Sequence, residues 1–160
     1  MKYVKGDVTK ATEKFIIHGC NAQGVMGSGV ALAIKQKWQD CYLHYVKEIK
    51  ANSSYHNLGN SYTYVTKDGK IIGNLITQEY FGSDGKAYAS LDAIRNSLEE
   101  FIFDINMINI FGEEEDDDGE IVIASPKIGC GLGGLKWENV SKIYEDFEQL
   151  YDVTFVIYEI

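Results

Sequence analysis

Two glycine-rich segments contain the residues best suited to hold an anionic ligand, and each follows a short apolar run. Residues 18–30 read HGCNAQGVMGSGV and follow the apolar residues 15–17, while residues 125–135 read SPKIGCGLGGL and follow residues 120–124. Glycines let the backbone approach a ligand closely, and the free N–H groups at the start of a helix attract anions. If both segments lie on one edge of a sheet, they can hold a diphosphate between them.

Neither segment matches a common phosphate-binding motif. No Gly-Lys-Ser/Thr follows the glycines, which excludes a P-loop, and Gly24, Gly27 and Gly29 lack the spacing of a dinucleotide-binding fingerprint. The pair therefore indicates a nucleotide-type ligand that is held mainly by backbone amides. For either segment alone, the alternative is that its glycines only form tight turns.

Cys130 begins a third pattern, because residues 130–136 read CGLGGLK and nearly have the C-x5-R form of a cysteine-dependent phosphatase. That chemistry needs a thiolate and an arginine that grips two phosphate oxygens. Lys136 offers a point charge instead of a planar fork, and the one arginine of the chain, Arg95, falls in a predicted helix. We therefore expect Cys130 to be a small packed residue.

Composition and charge exclude several classes of protein. The 160 residues suit one domain, and 24 Asp and Glu against 15 Lys and Arg give a net charge of −9, with no basic face for nucleic acid. No apolar run approaches the ~20 residues of a membrane span, and no signal peptide is evident. The three cysteines and three histidines form no metal-binding pattern. We expect a soluble, cytoplasmic monomer without metal or cofactor.

Hydrophobic periodicity alternates between strands and helices along the chain. It predicts strands over residues 15–18, 61–66, 70–77, 120–125 and 153–158. It predicts helices over residues 28–38, capped by Ser28, and over residues 42–50, 91–105 and 140–151. Asp68-Gly69 marks a hairpin turn, and residues 112–120 form an acidic, solvated loop. The alternation favours an α/β fold with a mixed, mostly parallel sheet covered on both faces.

Several of these residues together resemble the macro domain family. The likeness rests on Gly6-Asp7-Val8, Asn21, residues 24–30, residues 126–135 and the closing Val156-Ile157-Tyr158. It covers nearly the whole chain and is nearest to small macro domains of the ADP-ribose-1″-phosphate phosphatase and terminal ADP-ribose glycohydrolase type. The resemblance implies a single domain over residues 1–160, a three-layer α/β/α sandwich and a cleft for ADP-ribose.

The resemblance also assigns a role to particular residues. Asp7 would accept a hydrogen bond from the adenine amino group, the Val8 amide would support the ring, and Tyr158 would stack on it. Asn21 would reach the distal ribose, and the two glycine-rich segments would enclose the diphosphate. The implied ligand-binding residues are Gly6, Asp7, Val8, Asn21, Gly24, Gly27, Ser28, Gly29, Val30, Ile128, Gly129, Cys130, Gly131, Leu132 and Tyr158. The alternatives are that Asp7 is a turn or cap residue, Asn21 a turn former and Tyr158 a core aromatic residue.

The expected activity follows from where the sequence departs from the glycohydrolase pattern. Gln78 and Gly133 stand where the resemblance places a nucleophilic lysine and an assisting aspartate, and neither can replace them. Lys86 and Asp84, in a nearby loop, are the alternative pair, although no spacing requires them. Amides of residues 24–29, with Asn21 as the catalytic side chain, would suit a phosphatase acting on ADP-ribose-1″-phosphate. Candidate proton acceptors are His18, Gln23 through a water, and Asp84. The alternatives are a non-catalytic ADP-ribose reader and an ADP-ribosyl ester hydrolase.

Overall fold

The computed structural model describes residues 1–111 and 120–160, which form one mixed sheet between two layers of helices. The strands are β1 (Lys2–Lys5), β2 (Phe15–Asn21), β3 (Ser61–Val65), β4 (Ile71–Gln78), β5 (Ile121–Ser125) and β6 (Val153–Glu159). The helices are α1 (Gly29–Lys37), α2 (Gln39–Ala51), α3 (Ser54–Asn57), α4 (Leu91–Phe111) and α5 (Trp137–Leu150), with a 3₁₀ turn at Val8–Lys10. The predicted acidic loop lies outside the described residues except for Glu120.

The strand order of the sheet is β1-β6-β5-β2-β4-β3. Every neighbouring pair is parallel except β3 and β4, which form the antiparallel hairpin that the sequence predicts. Gly69 in the hairpin turn has a φ of +91°, a conformation that costs glycine little. The predicted mixed, mostly parallel sheet is confirmed.

Alternate residues of the central strand β2 face opposite helical layers. Phe15 and Ile17 belong to a buried cluster that includes residues of α4 and α5, such as Phe101. Ile16 belongs to a second cluster with Ile34 of α1 and other residues on the opposite face. The apolar residues of β2 are therefore nearly continuous because both faces of the strand are covered. This confirms the three-layer arrangement.

The strand β1 is absent from the sequence-based prediction. All four of its residues are exposed, so no hydrophobic pattern indicates a strand there. It is added to the edge of the sheet through parallel pairing with β6, in which Val4 lies opposite Tyr158. This pairing fixes where the chain arrives at Gly6, so an edge strand without an apolar signal still positions a predicted ligand-binding residue. None of the helices in the described part of the chain is long and apolar enough to cross a membrane.

Candidate functional site

The topology brings the two glycine-rich segments together. β2 and β5 are parallel neighbours, with Phe15 opposite Ile123, so the segments that follow them leave the same edge of the sheet. β1 and β6 end at that edge as well, which brings Gly6 and Tyr158 to the same side. Ligands of open α/β sheets bind at this carboxyl edge. The expectation that both segments share one edge is confirmed.

A cleft of about 450 Å³ opens between the first segment, the beginning of α1 and the chain that follows β4. Its lining consists of Gly19, Cys20, Asn21, Val25, Gly27, Ser28, Ala31, Gln78, Phe81, Gly82, Ser83 and Leu132. None of these lining residues is Asp, Glu, Lys, Arg or His. Among the described residues, no group of three or more His, Cys, Asp or Glu side chains could hold a metal ion. The cleft therefore offers a ligand backbone groups, neutral hydrogen-bonding side chains and a few apolar contacts.

Four of the predicted ligand-binding residues line this cleft: Asn21, Gly27, Ser28 and Leu132. The remaining ones lie along the same edge, in the two segments or at the ends of β1 and β6, without lining it. The residues predicted to contact adenine therefore do not line the cleft, whereas Asn21, the residue predicted to reach the distal ribose, does. Their contacts with a ligand stay predictions.

Asn21, the predicted catalytic residue, lies at an irregularity between β2 and β4. Cys20 pairs with Ile76 but Asn21 pairs with Gln78, so β4 contains one extra residue at this point. Bulges of this kind redirect side chains and are common beside active sites. Here the irregularity sets Asn21 and Gln78 opposite each other, and both line the cleft.

The Asn21 carboxamide is held by its own loop. Its Oδ1 accepts hydrogen bonds from the backbone N–H groups of Gln23 (3.0 Å) and Val25 (3.3 Å), and its Nδ2 donates to the Val25 carbonyl (2.7 Å). The Asn21 side chain therefore stabilises its own loop, which agrees with the alternative that Asn21 is a turn former. An amide carries two N–H donors, and the bond to Val25 uses one of them. Its contact with a distal ribose stays a prediction.

The first segment passes into α1 at Ser28. Ser28 stands at the N-cap position, but its hydroxyl makes no capping hydrogen bond, so the prediction of a Ser28 side-chain cap is wrong. The backbone at Ser28 is extended, with φ −155° and ψ 165°, and the side chain lines the cleft. Gly24 and Gly29 have φ values of +82° and +58°, which explains their identity. The first N–H groups of α1 thus begin at the wall of the cleft.

The second segment is anchored to residues 86–89 through Gly133. The Gly133 carbonyl accepts hydrogen bonds from the backbone N–H groups of Tyr88 (2.8 Å) and Ala89 (3.0 Å). A Cβ atom on Gly133 would lie 2.7 Å from the carbonyl oxygen of Gly129 and 3.0 Å from the Ala89 Cβ. No side chain fits at Gly133 without moving the backbone, which is why an aspartate cannot stand there in this loop.

The arrangement around Cys130 does not suit a nucleophilic thiolate. Burial raises the pKa of the Cys130 thiol above its usual value, and its Sγ lies 3.4 Å from the Ile128 carbonyl oxygen. Arg95 forms an ion pair with Asp146 at 3.0 Å, on the helices α4 and α5. Neither a lowered thiol pKa nor an arginine beside the thiol, the two features that a cysteine-dependent phosphatase needs, is found at Cys130.

The two side chains predicted to contact adenine, Asp7 and Tyr158, already have partners within the protein. The Asp7 carboxylate accepts hydrogen bonds from the N–H (2.9 Å) and the hydroxyl (2.8 Å) of Thr9, which cap the 3₁₀ turn and lower the pKa of Asp7. The Tyr158 hydroxyl donates to Glu13 at 2.5 Å, and burial together with this contact raises the Tyr158 pKa to about 12. Asp7 is thus a cap residue and Tyr158 packs against the core, which are the alternatives given for them above. Their contacts with adenine stay predictions.

The three candidate proton acceptors lie outside the lining of the cleft. His18 is fully buried, its Nε2 lies 2.6 Å from Asn74 Oδ1, and burial lowers the His18 pKa to about 4. Gln23 donates to Ser54 and to the Glu79 carbonyl. Asp84 is exposed and accepts a hydrogen bond from the Tyr88 hydroxyl. None of them stands at the cleft as a base with a pKa near neutrality.

The sequence analysis missed the wall formed by Phe81, Gly82 and Ser83. These residues follow β4, whose carboxyl end lies on the same edge as the two glycine-rich segments. No motif marks them, because their role depends only on this position. The order of the strands was the one signal that could have found them.

Comparisons with known proteins agree with this geometry. A model of the macro domain family matches residues 17–144. A DNA ADP-ribosyl glycohydrolase of Mycobacterium tuberculosis is 31% identical over 160 residues, which cover 98% of this chain and 41% of that protein. An ADP-ribose 1″-phosphate phosphatase of Candida albicans is 27% identical over 164 residues, covering 98% and 99%. The chain thus spans about two-fifths of the first relative and nearly all of the second.

Solved structures give the same result for the fold. The macrodomain of Mycobacterium tuberculosis DarG superposes with a TM-score of 0.77 at 30% identity, covering 99% of this chain and 97% of that one. The macrodomain of Thermus aquaticus DarG superposes with a TM-score of 0.75 at 25% identity, covering 99% and 97%. The similarity therefore extends over the whole domain and includes the edge of the sheet that carries the cleft.

Proposed function

The chain belongs to the macro domain family, and we propose that its carboxyl-edge cleft binds ADP-ribose with the distal ribose near Asn21. The diphosphate lies between the two glycine-rich segments and receives hydrogen bonds from backbone amides, including those at the start of α1. The adenine lies toward Asp7 and Tyr158, beyond the ends of β1 and β6. The family membership and the convergence of both segments on one edge support this proposal.

For the activity, we propose hydrolysis of ADP-ribose-1″-phosphate to ADP-ribose and inorganic phosphate. The observation that carries it is a cleft lined by neutral donors, with Gln78 where a glycohydrolase would need its lysine. A water attacks phosphorus as the P–O bond to the sugar breaks, and its proton goes to the departing oxygen or to solvent. Phosphoryl transfer depends mainly on positioning and on stabilising spread charge, so it tolerates a site without a strong base.

In this mechanism the side chains at the far end of the cleft orient the phosphate. The second N–H of the Asn21 carboxamide, beyond the one bound to Val25, is the group we assign to a phosphate oxygen. Ser28 contributes a hydroxyl from the beginning of α1. Glycosidic-bond hydrolysis through a lysine adduct is not proposed, because Gln78 cannot form one and the loop around Gly133 leaves no room for a carboxylate.

The test combines phosphate release from ADP-ribose-1″-phosphate with calorimetric titration of ADP-ribose. Asn21→Ala should lower the rate of phosphate release more than it lowers ADP-ribose affinity, since Asn21 acts at the far end of the ligand. Equal losses in both would remove its catalytic role. Asp7→Ala should mainly weaken binding, and unchanged affinity would remove the adenine assignment.

A second candidate function is binding of ADP-ribose without turnover. It is favoured by one observation: no lining side chain of the cleft is an acid or base with a pKa near neutrality. Tight binding of ADP-ribose with no phosphate release above a control without protein would select this function over the phosphatase.

A further inference from the structure

Tyr45 of α2 makes a contact that the proposed mechanism does not use. Its hydroxyl lies 2.6 Å from the carbonyl oxygen of Asn21 and 3.1 Å from Oδ1 of the same residue. One hydroxyl proton is thus shared between the main chain and the side chain of the residue to which we assign the catalytic contact. A hydrogen bond of this kind fixes both the direction of the strand end and the orientation of the carboxamide.

The contact between Tyr45 and Asn21 is buried. The Tyr45 side chain is 0% exposed. It belongs to a buried cluster that includes three residues of the first segment close to Asn21 in the sequence: Cys20, Ala22 and Met26. Burial raises the pKa of the Tyr45 hydroxyl far above its usual value, so the hydroxyl stays protonated and can donate at neutral pH. The ring packs in this cluster, and the hydroxyl adds the hydrogen bonds to Asn21.

The contact also completes a set of donors around one oxygen atom. Asn21 Oδ1 faces the N–H groups of Gln23 and Val25 and the Tyr45 hydroxyl, all within 3.3 Å. This set identifies Oδ1 as the acceptor and turns Nδ2 toward the Val25 carbonyl. Without the hydroxyl, the Asn21 carbonyl loses its bond to α2. The loop over residues 21–25 then keeps its internal bonds and the bonds of Ala22 and Gln23 to the end of β4 and the residue after it, but none of these reaches the Asn21 carbonyl.

We propose that Tyr45 is a positioning residue, which holds Asn21 and residues 21–25 in the shape that orients the distal end of the ligand. The proposal deepens the proposed function and rests on it for the kinetic part of its test. Tyr45 does not touch the ligand, and it acts only through Asn21. Its loss should therefore affect the reaction rate more than the binding of the rest of the nucleotide.

The test uses Tyr45→Phe, with Tyr62→Phe as a matched control. Tyr62 is a buried tyrosine of the same cluster, but its hydroxyl donates to Asn57, away from the first segment. Both variants remove one buried hydroxyl and should lower stability to a similar extent. We expect Tyr45→Phe to reduce kcat about tenfold with KM within about threefold, since small misplacements of a reacting group are costly. Tyr62→Phe should keep both constants.

Hydrogen exchange gives a second measurement that is independent of activity. The N–H groups of Gln23 and Val25 both donate to Asn21 Oδ1, so they should exchange faster in Tyr45→Phe and at the wild-type rate in Tyr62→Phe. Equal stability losses with unchanged kcat and unchanged exchange in Tyr45→Phe would overturn the proposal and leave Tyr45 a core residue. If the wild-type protein releases no phosphate, the proposed phosphatase fails, and the exchange rates together with ADP-ribose affinity still decide the role of Tyr45.

A measurement on the wild-type protein covers the case in which Tyr45→Phe does not fold. The Tyr45 hydroxyl proton should be visible by NMR as a slowly exchanging signal close in space to the Asn21 amide protons. A hydroxyl that exchanges rapidly with water, or one without proximity to Asn21, would overturn the proposal.

Discussion

Substitution of Gly133 by alanine tests how the second glycine-rich segment is packed. The added Cβ would lie 2.7 Å from the Gly129 carbonyl oxygen, and 3.0 Å from both the Gly129 carbonyl carbon and the Ala89 Cβ. Two of these three atoms belong to the backbone, so a rotamer change cannot relieve the overlap. Overpacking that moves the backbone costs roughly 1–3 kcal/mol. For a domain of this size that corresponds to a melting temperature lowered by roughly 2–12 °C.

Gly131→Ala is the matched control in the same segment. Gly131 is exposed, and a Cβ on it would have no atom within 4 Å. Neither Gly131 nor Gly133 has a positive φ, so the comparison separates steric overlap from backbone conformation. Gly131→Ala should therefore change the free energy of unfolding by less than about 0.5 kcal/mol.

The assay is urea unfolding of the wild type and both variants, followed by calorimetric titration of ADP-ribose. We expect Gly133→Ala to lose stability and to bind ADP-ribose more weakly, because the shifted segment also loses its bonds to Tyr88 and Ala89. Equal stability of Gly133→Ala and the wild type would refute the packing described for residues 129–133. Equal destabilisation by both substitutions would show that the effect is not steric overlap.

Two further predictions concern pH and salt. Burial lowers the pKa of His18 in the folded protein to about 4, so its contribution to stability is complete above pH 6.5 and is lost as the pH falls toward 4. The free energy of unfolding, measured with urea, should fall by roughly 3 kcal/mol across this range. A His18→Asn variant whose free energy of unfolding depends on pH as steeply as that of the wild type would contradict this prediction. The net charge of −9 and the absence of Lys and Arg from the lining predict that raising the ionic strength does not weaken ADP-ribose binding, and a marked loss of affinity in salt would indicate a cation in contact with the ligand.

The elements that the sequence predicts are those that bury apolar residues, either almost continuously, as in β2, or at regular spacing. α4 repeats its buried residues at helical spacing, as at Ile94, Leu98 and Ile105, and the structure places a helix there. β1 has no buried residue, and only its pairing with β6 defines it. The hydrophobic pattern of a sequence reflects which residues are buried. It therefore does not predict an exposed edge strand that is held by backbone hydrogen bonds.

The candidate site likewise contains residues that a sequence pattern marks and residues that no pattern marks. Glycine spacing located both segments, because left-handed backbone at Gly24, Gly29 and Gly129 leaves a residue-type signature. No residue type marks Phe81, because its position in the wall of the cleft follows from the fact that β4 lies beside β2 in the sheet. The prediction that the Ser28 side chain caps α1 was wrong, because a serine at the N-cap position does not by itself determine where its hydroxyl points.

An acidic protein can hold an anionic ligand when recognition rests on backbone amides. The N–H groups of the two segments and of α1 carry partial positive charge, and their placement depends on glycine conformation rather than on lysine or arginine. Asn21 and Gln78 stand opposite each other across the irregularity in β4, and both line the cleft in which we propose that the distal end of the ligand lies. In the proposed reaction Asn21 contacts the phosphate, so Tyr45, the buried group that fixes the orientation of Asn21, should affect the rate although Tyr45 does not line the cleft.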